Sequence, residues 1–353
     1  MVYKQNNNLI KIKNKMTKFK VFPILSISIF VMLTLAGCDG CKSKSDNPNQ
    51  KAVDVSLLQQ WFPNAGYAGE LFAVYETGKE YGINIKLQAG SEELSPIKMV
   101  LSGKYDFGVA GADEVLEANA KEQNLVVVGV INYKALGCFL AKAESNIVTP
   151  KDFANHKIGV QNGTSVYLMY KALMKKNNID SSKLKEIEAP WDLATFITGA
   201  YDVRPAFYND EPVTLDQKGI KYNVIKPNEW GVNFVGTVYF ARKDFVEKNP
   251  ETVQKFVNAL CKGWELATAD PKKSIDYLVK FDGKNIDSTR ELSSLIKGLE
   301  YYKGENGKTL YSSKENWDAM ASTLTSFGLL PKYEFNQSVN YDFVTWYHSK
   351  VKK

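Results

Sequence analysis

The chain has 353 residues, of which 44% are hydrophobic and 24% charged. This length suits one or two α/β units, and the composition excludes a chain that is disordered throughout. The formal charge of +6 comes from lysines in residues 1–37, a segment with no Asp or Glu. Because the remaining residues are balanced in charge, we expect no nucleic-acid partner.

Residues 1–37 have the organisation of a secretory signal peptide. A basic segment ends at Lys20, and the apolar stretch over residues 21–36 is short for a membrane span. The string Leu-Ala-Gly-Cys that ends at Cys38 resembles the lipobox of bacterial lipoproteins, in which the cysteine is lipidated. We therefore expect a lipid on Cys38, a polar tether over residues 38–52 and an extracytoplasmic, membrane-anchored protein of the bacterial cell envelope. The alternative is an uncleaved anchor with an unmodified cysteine.

Strands and helices alternate in a first block from Val53 onward. Hydrophobic spacing predicts strands at 53–59, 83–88, 106–110 and 125–131, and helices at 68–75, 97–101 and 113–121. The last of these strands is continuously apolar, which is typical of a parallel strand buried on both faces.

A second block begins at Thr149-Pro150, a capping residue followed by proline at the first helical position. It contains predicted strands at 157–161, 185–188 and 222–225, and predicted helices at 165–176 and 192–199. The apolar segment 231–241 is expected to return to the first block. The remainder is predicted to be helical, with an apolar stripe from Val253 to Trp264.

Repeated strand–helix units predict an α/β fold of two lobes, built on parallel sheets with helices on both faces and separated by a cleft that closes about a hinge. We predict a first lobe over 53–145, a second lobe over 146–231, and a return to the first lobe with C-terminal helices over 232–353. In such sheets ligands bind beyond the carboxyl ends of the strands.

The residues at those strand ends are polar, glycine-rich and aromatic. The first three strands are followed by Trp61 to Gly69, by Gly90-Ser91-Glu92 and by Gly111 to Glu114, and a strand of the second block is followed by Gln161 to Ser165. Helix starts there can hold a polar ligand edge, which makes Asn162 and Thr164 candidates. The aromatic candidates for stacking on a planar heterocycle are Trp61, Tyr67, Trp191, Tyr208 and Trp230.

Three strings carry a family resemblance: WFPNAGYAG, LSGKYDFGVAGADEVL and YNDEPVTLDQKGIKYNVIKPNEWGVNF. They resemble the bacterial binding proteins for thiamine precursors, whose wider family includes riboflavin binders and is related to alkanesulfonate and nitrate binders. The resemblance covers most of residues 53–278. It implies the type II periplasmic-binding-protein fold, with two lobes joined by two crossover strands, and a substrate-binding component of an ABC importer that delivers a small molecule to a permease and its ATPase.

The resemblance also implies site residues. By position, Trp61 and Asn64 line the first-lobe wall, and the Tyr-Asn-x-Glu segment of the family falls on Tyr208 to Glu211, whose carboxylate accepts hydrogen bonds from a pyrimidine amino group. The residues that it places facing the cleft are Ser91, Glu92, Asp113 and Glu114. Those that it places near the second crossover are Trp230 and Asn233. The family's pyrimidine-related pattern has His where this chain has Tyr67, which argues against the relatives that synthesise the pyrimidine by consuming that histidine.

Other functions are less well supported by the residues. The chain has two histidines, and neither a G-x-S-x-G elbow nor an H-E-x-x-H helix appears in the sequence, so we expect a monomeric binding protein with no catalytic residues, cofactor or metal rather than an enzyme. An anion-binding importer component is an alternative, which would use Arg204 if that side chain reaches the cleft. A non-transport surface lipoprotein acting as a sensor is another. Cys138 and Cys261 are either a disulfide or two buried thiols.

Overall fold

The computed structural model of the chain describes residues 51–283, 285–332 and 335–350. The expected leader over 1–37, the lipid on Cys38 and most of the tether over 38–52 lie outside these ranges. None of the helices in the described part of the chain combines the length and the apolar character that a membrane crossing requires.

The described residues form ten strands in two five-stranded sheets. The first sheet has the order β2-β1-β3-β10-β4 and the second the order β7-β6-β8-β5-β9. The strands are β1 (Val53–Leu58), β2 (Ile83–Gln88), β3 (Phe107–Gly111), β4 (Leu125–Val130), β5 (Gly137–Lys142), β6 (Lys157–Val160), β7 (Lys185–Glu188), β8 (Val203–Phe207), β9 (Tyr222–Ile225) and β10 (Thr237–Arg242). We refer to each sheet with the helices packed on it as the first and the second lobe.

Both sheets are mixed, whereas the sequence predicted parallel sheets. β1, β2 and β3 run parallel, as do β6, β7 and β8, so in each lobe three carboxyl ends share one edge. β10 lies antiparallel between β3 and β4, and β5 lies antiparallel between β8 and β9. The parallel pairing predicted for 125–131 is therefore wrong, although the burial of that strand is confirmed.

Helices cover both sheets and make up most of the C-terminal third of the described chain. They are α1 (Ala68–Phe72), α2 (Gly78–Glu80), α3 (Pro96–Leu101), α4 (Ala112–Ala120), α5 (Ser165–Lys176), α6 (Ala194–Ile197), α7 (Glu211–Gln217), α8 (Lys243–Lys248), α9 (Pro250–Ala269), α10 (Pro271–Asp282), α11 (Ser288–Tyr302), α12 (Lys314–Ser326) and α13 (Asp342–Lys350). The predicted stripe of α9 is confirmed: Val253, Phe256, Val257, Leu260 and Trp264 are all buried in the core of the first lobe.

Cys138 and Cys261 are buried thiols, on β5 of the second sheet and on α9 of the first lobe. The thiol alternative is confirmed and the disulfide alternative is wrong. Burial raises the pKa of the Cys138 thiol well above its ordinary value.

Two segments connect the sheets and lie side by side. Residues 131–136 link β4 to β5, and residues 226–236 link β9 to β10. The Gly236 amide donates to Asn132 O at 2.9 Å, and the Ala135 amide donates to Phe234 O at 2.8 Å. β10, within the segment expected to return, pairs with β3 and β4 of the first sheet. The second sheet includes β5, which precedes residue 146, and the division of the chain into lobes stays a proposal.

Candidate ligand-binding cleft

The segments that follow the carboxyl ends of the parallel strands meet at the seam between the lobes, which is the candidate ligand cleft. The first lobe contributes the residues after β1, β2 and β3, and the second lobe those after β6, β7 and β8. Within the first lobe these segments support one another, since the Gly90 amide donates to Trp61 O at 3.0 Å. A Cβ on Gly90 would lie 2.5 Å from Gln59 O, so only glycine allows this close approach.

Two indole rings meet across the cleft. Trp61, after β1, and Trp191, after β7, have ring centroids 5.4 Å apart with an interplanar angle of 49°. Phe62 packs edge-on to Trp61 at 5.4 Å. Trp61 is partly buried, whereas the Trp191 side chain is 45% exposed. Two of the five rings predicted to stack on a planar ligand, those of Trp61 and Trp191, are thus on opposite lobes and in contact with each other.

A buried carboxyl, that of Asp113, and a partly buried one, that of Glu114, form the polar side of the same seam. Asp113, at the start of α4, accepts a hydrogen bond from Ser165 Oγ, at the start of α5, at 2.8 Å. Glu114 accepts one from Gln60 Nε2 at 2.9 Å. A Cβ on Gly111 would lie 2.7 Å from Ser165 Oγ, so this strand end has no room for a side chain. The lobes are therefore linked by a direct hydrogen bond.

Burial raises the pKa of both Asp113 and Glu114, and the charge on Asp113 raises that of Glu114 further. Two neighbouring carboxylates in a low-dielectric site are unfavourable when both are ionised, so the pair retains a proton at pH values where an exposed pair has lost both. Such a pair can accept hydrogen bonds from ring amino or N–H groups and can also donate one.

Several predicted ligand residues instead fix the local backbone. Asn64 caps the short helix after β1, accepting from the Gly66 amide at 2.7 Å and donating to Phe62 O at 2.9 Å. Thr164 caps α5 through the Tyr167 amide at 3.2 Å. These side chains shape the segments that carry Trp61 and Ser165.

Other predicted site residues lie in varied surroundings. Tyr67 is buried in the first-lobe core, and burial raises the pKa of its phenol well above its usual range. Asn162 donates to Glu188 on the rim of the second lobe. Ser91 Oγ donates to Glu93 at 3.4 Å, and Glu92 is exposed.

Trp230 does not lie with Trp61 and Trp191 at the seam between the lobes. It ends the short helix Pro227–Trp230 in the second linker and packs partly buried against the core. The next residue, Gly231, lies against Lys176 at the C-terminal end of α5, whereas Thr164 caps the opposite end. The exposed Asn233 lies in the same linker, as the resemblance implied.

Arg204 is wholly buried and does not face the cleft. Its guanidinium donates to the carbonyl oxygens of residues 190–192 at 2.7–3.1 Å and contacts Glu211 Oε1 at 3.2 Å. Glu211 Oε2 in turn accepts from the Phe207 amide at 2.8 Å. Burial raises the pKa of Glu211, and Arg204 opposes that rise. Both groups are thus occupied within the protein, and the sequence-based roles in ligand binding gain no support from this placement.

The segment after β8 docks on α11, a contact that the sequence did not predict. Tyr208 packs against Tyr301 at 6.2 Å between ring centroids, and Lys226 Nζ lies 3.9 Å from the Tyr208 ring centroid. Asn209 Nδ2 donates to Tyr302 Oη at 2.9 Å.

On the other side, Glu291 of α11 accepts from the Ala65 amide, after β1, at 2.7 Å. Helix α11 therefore touches strand-end segments of both lobes. No local sequence signal marks its residues, because their partners are more than ninety positions away or on another lobe.

A shallow depression of about 380 Å³ lies elsewhere, between β4, α8 and the segment that precedes α13. It is open to solvent and remote from the strand ends, so we assign the ligand site to the cleft. Among the residues that the structure describes, no group of three or more His, Cys, Asp or Glu side chains is arranged to hold a metal ion.

The fold and cleft define the class of protein. The structure is similar to that of the periplasmic aliphatic sulphonate binding protein SsuA from Escherichia coli, with a TM-score of 0.65, 19% sequence identity and coverage of 84% of this chain and 100% of that protein. This is the periplasmic binding protein fold, and the fold class predicted from the sequence is confirmed.

Sequence comparison gives the family. The chain is 24% identical over 313 residues to the formylaminopyrimidine-binding protein of Halalkalibacterium halodurans, covering 86% of this chain and 93% of that protein. It is 19% identical over 327 residues to the riboflavin-binding protein RibY of Chloroflexus aurantiacus, covering 87% and 93%. The family model described as NMT1/THI5 like matches residues 78–274, and the chain belongs to the NMT1/THI5-like family. The expected membership of a family of binding proteins, rather than of enzymes, is confirmed.

Proposed function

We propose that this chain, the substrate-binding component of an ABC import system, captures a small planar heterocycle of the thiamine-pyrimidine or flavin kind and delivers it to a permease. The observation that carries the proposal is the pair Trp61 and Trp191, one ring from each lobe, at the carboxyl ends of parallel strands. A flat ligand that entered between the rings would replace one aromatic contact with two. The names of the pyrimidine-binding and riboflavin-binding relatives agree with this ligand class.

The polar side of the cleft supports the same class. Asp113 and Glu114 offer carboxyl oxygens next to the hydrogen bond that joins the lobes. Carboxyl oxygens accept hydrogen bonds from ring amino and N–H groups. A neutral or amino-substituted heterocycle therefore matches the seam better than a group that carries negative charge.

The alternative ligand, a sulfonate or nitrate, has less support. Such anions favour bidentate arginine donors, and the chain has three arginines. Arg204 is committed to carbonyls and Glu211, Arg242 to Asp244 and Val100 O, and Arg290 to Asp210 and Glu291. An anion in the cleft would have to rely on lysines or backbone amides.

We also propose that the protein works outside the cytoplasm and is anchored by a lipid on Cys38. The support is the leader pattern together with the similarity of the structure to a periplasmic sulphonate-binding protein. The measurement is metabolic labelling with a clickable fatty acid, in which Cys38→Ser should lose the label and leave the membrane fraction. Equal labelling of both proteins would contradict the lipid assignment.

The proposal is tested by thermal shift and titration with thiamine, its hydroxymethyl- and formylamino-pyrimidine precursors, riboflavin, taurine and nitrate. A ligand at a hundred times its Kd stabilises by about 2.7 kcal/mol. We expect a shift with a heterocycle that is lost in Trp61→Ala and in Trp191→Ala. The matched control is Trp346→Ala, which removes an indole that is 44% exposed on α13. A shift with the anions alone would overturn the heterocycle proposal.

A further inference from the structure

Trp191 is held at the cleft by contacts of its backbone as well as by the contact of its ring with Trp61. Its side chain is 45% exposed. The three carbonyl groups of residues 190–192 converge on the guanidinium of Arg204: Nη1 donates to Pro190 O at 3.1 Å and to Asp192 O at 2.7 Å, and Nη2 donates to Trp191 O at 2.7 Å. One side chain thus organises the whole turn that carries the indole.

Arg204 is itself fixed from the other side. It lies on β8 with its side chain wholly buried, and Glu211 Oε1 lies 3.2 Å from Nη2. Glu211 is fixed by the Phe207 amide at 2.8 Å. Tyr201 Oη accepts from Nη1 at 3.2 Å and is also within 3.0 Å of Thr195 Oγ1. The guanidinium is therefore anchored to the sheet and closed to any ligand.

The geometry requires arginine. A planar guanidinium directs several N–H groups outward at fixed angles, whereas a lysine ammonium is a compact charge on a flexible stem. A lysine would keep the charge opposite Glu211 but would not reach three consecutive carbonyl oxygens at once.

We infer that Arg204 is a positioning residue for ligand binding: it holds the backbone of residues 190–192 so that the Trp191 ring faces Trp61 across the cleft. The inference rests on the proposed function in one respect, namely that the ligand stacks between these rings. It adds a specificity determinant that never touches the ligand. It also gives Arg204, the arginine that the sequence offered for anion binding, a different role.

The first test needs no ligand. Two indoles 5.4 Å apart and tilted by 49° couple their electronic transitions and give a circular-dichroism couplet. The couplet is the part of the spectrum of the full-length protein that disappears in Trp61→Phe and disappears equally in Trp191→Phe. We expect Arg204→Lys to lose most of it. The matched control is Arg242→Lys, which changes an arginine that donates to Val100 O and Asp244 in the first lobe, and it should retain the couplet.

The second test is a double-mutant cycle on the affinities for riboflavin and for the formylamino-pyrimidine precursor, measured in parallel. We expect Arg204→Lys to weaken binding about tenfold, the equivalent of one charge-assisted hydrogen bond. In a Trp191→Ala background the same substitution should weaken binding by only a further factor of about two or less, because it acts through a ring that is no longer present. If Arg204→Lys fails to fold, Tyr201→Phe takes its place, because it removes one acceptor from the guanidinium without changing any charge. It should reduce both the circular-dichroism couplet and the affinity for the heterocycle.

The outcomes separate this inference from the proposed function. An unchanged couplet in folded Arg204→Lys, or an equal loss of affinity with and without Trp191, would overturn the positioning role while the ligand proposal stands. A lost couplet in a protein that binds none of the heterocycles would support the positioning role and overturn the ligand class.

Discussion

Glu70 is a carboxyl that the fold places out of contact with water beneath the cleft. It lies on α1 in the first lobe, wholly buried, and its Oε2 accepts from Gln59 Nε2 at 2.8 Å. Burial raises the pKa of Glu70 to about 8, although hydrogen bonds from Gln59 and Tyr239 act in the opposite direction. The group is therefore largely protonated at neutral pH in the folded protein.

This raised pKa predicts a pH dependence of stability. Because the folded-state pKa lies above the ordinary value of 4.5, the folded protein binds more protons than the unfolded chain between the two values. The contribution of Glu70 to the free energy of unfolding is thus fully present below about pH 4 and falls by about 1.4 kcal/mol per pH unit as the pH rises toward 8. Glu70→Gln should remove this slope and leave the variant relatively more stable at the alkaline end.

Urea denaturation over a series of pH values measures the slope. The control is Glu247→Gln, which changes an exposed carboxylate on α8 and should leave the slope as it is. A slope that persists unchanged in Glu70→Gln would show that another group causes it.

Residue roles could be predicted from the sequence only where the signal is local. Trp61 beside Pro63 and Asp113 after a strand end follow from chain order, and the structure places both at the seam between the lobes. The role of Arg204 does not follow from chain order, because its acceptors are carbonyls of residues 190–192 that only the folded second lobe brings to it. A buried arginine and an exposed one look the same in a single sequence.

Helix α11 joins the two lobes on one side of the cleft. Its Lys297 contacts Asp216 of α7 at 3.0 Å and Tyr222 Oη at 3.3 Å, while Glu291 accepts from the amide of Ala65 in the first lobe. The Lys297 side chain is 22% exposed and that of Asp216 is 56% exposed, so the ion pair is worth at most about 1 kcal/mol. A pair that spans two lobes nevertheless acts on the equilibrium between open and closed forms.

We predict that Asp216→Asn and Lys297→Met each weaken ligand binding by about twofold to fivefold, in line with a pair worth about 0.5–1 kcal/mol, and that the double variant loses little more. The effect should shrink at high salt. The control is Lys314–Asp318, an ion pair at 2.8 Å within the single helix α12. Its disruption should leave affinity unchanged, and an equal loss of affinity for both pairs would count against a role for α11 in closure.

The elements that the sequence predicted well have strong local patterns. β2, α5, β7 and β9 have the predicted bounds, set by alternation or by a capped apolar stripe. β8 was not predicted, because Arg204 and Pro205 in its middle are poor strand signals. The structure tolerates them because β8 pairs with β6 only through Ile158 and Val203, and the guanidinium finds acceptors outside the strand.

At the scale of the whole molecule, the sequence predicted two α/β blocks and the return of the chain to the first of them. It did not predict β5, nor that β5 and β10 run antiparallel within their sheets. Each of these strands enters its sheet from a linker that arrives from the other lobe. The direction of such a strand depends on the edge of the sheet from which the linker enters. Hydrophobic spacing carries no information about that edge.

Gly236 lies where the two linkers meet. Its amide donates to Asn132 O at 2.9 Å, and its carbonyl oxygen accepts from the Ala112 amide, at the start of α4, at 2.9 Å. A Cβ at this position would lie 2.8 Å from Asn132 Cβ and 3.1 Å from Asn132 O. The absence of a side chain is therefore what allows the linkers to lie against each other.

We predict that Gly236→Ala forces the linkers apart and shifts the molecule toward the open form, because the new methyl group would press against Asn132 and the Ala135 backbone of the other linker. The cost in the free energy of unfolding should be about 1–3 kcal/mol, as for other overpacked sites. Small-angle scattering should show a larger radius of gyration in the presence of ligand than for the unmodified protein, together with weaker binding.

The control is Gly129→Ala on β4, where a Cβ would first meet Leu310 Cδ1 at 3.3 Å, the end of a side chain that can rotate. That variant should bind ligand and close normally. If both variants closed equally well, the two linkers would not be the hinge, and the motion between the lobes would have to be sought in α11 instead.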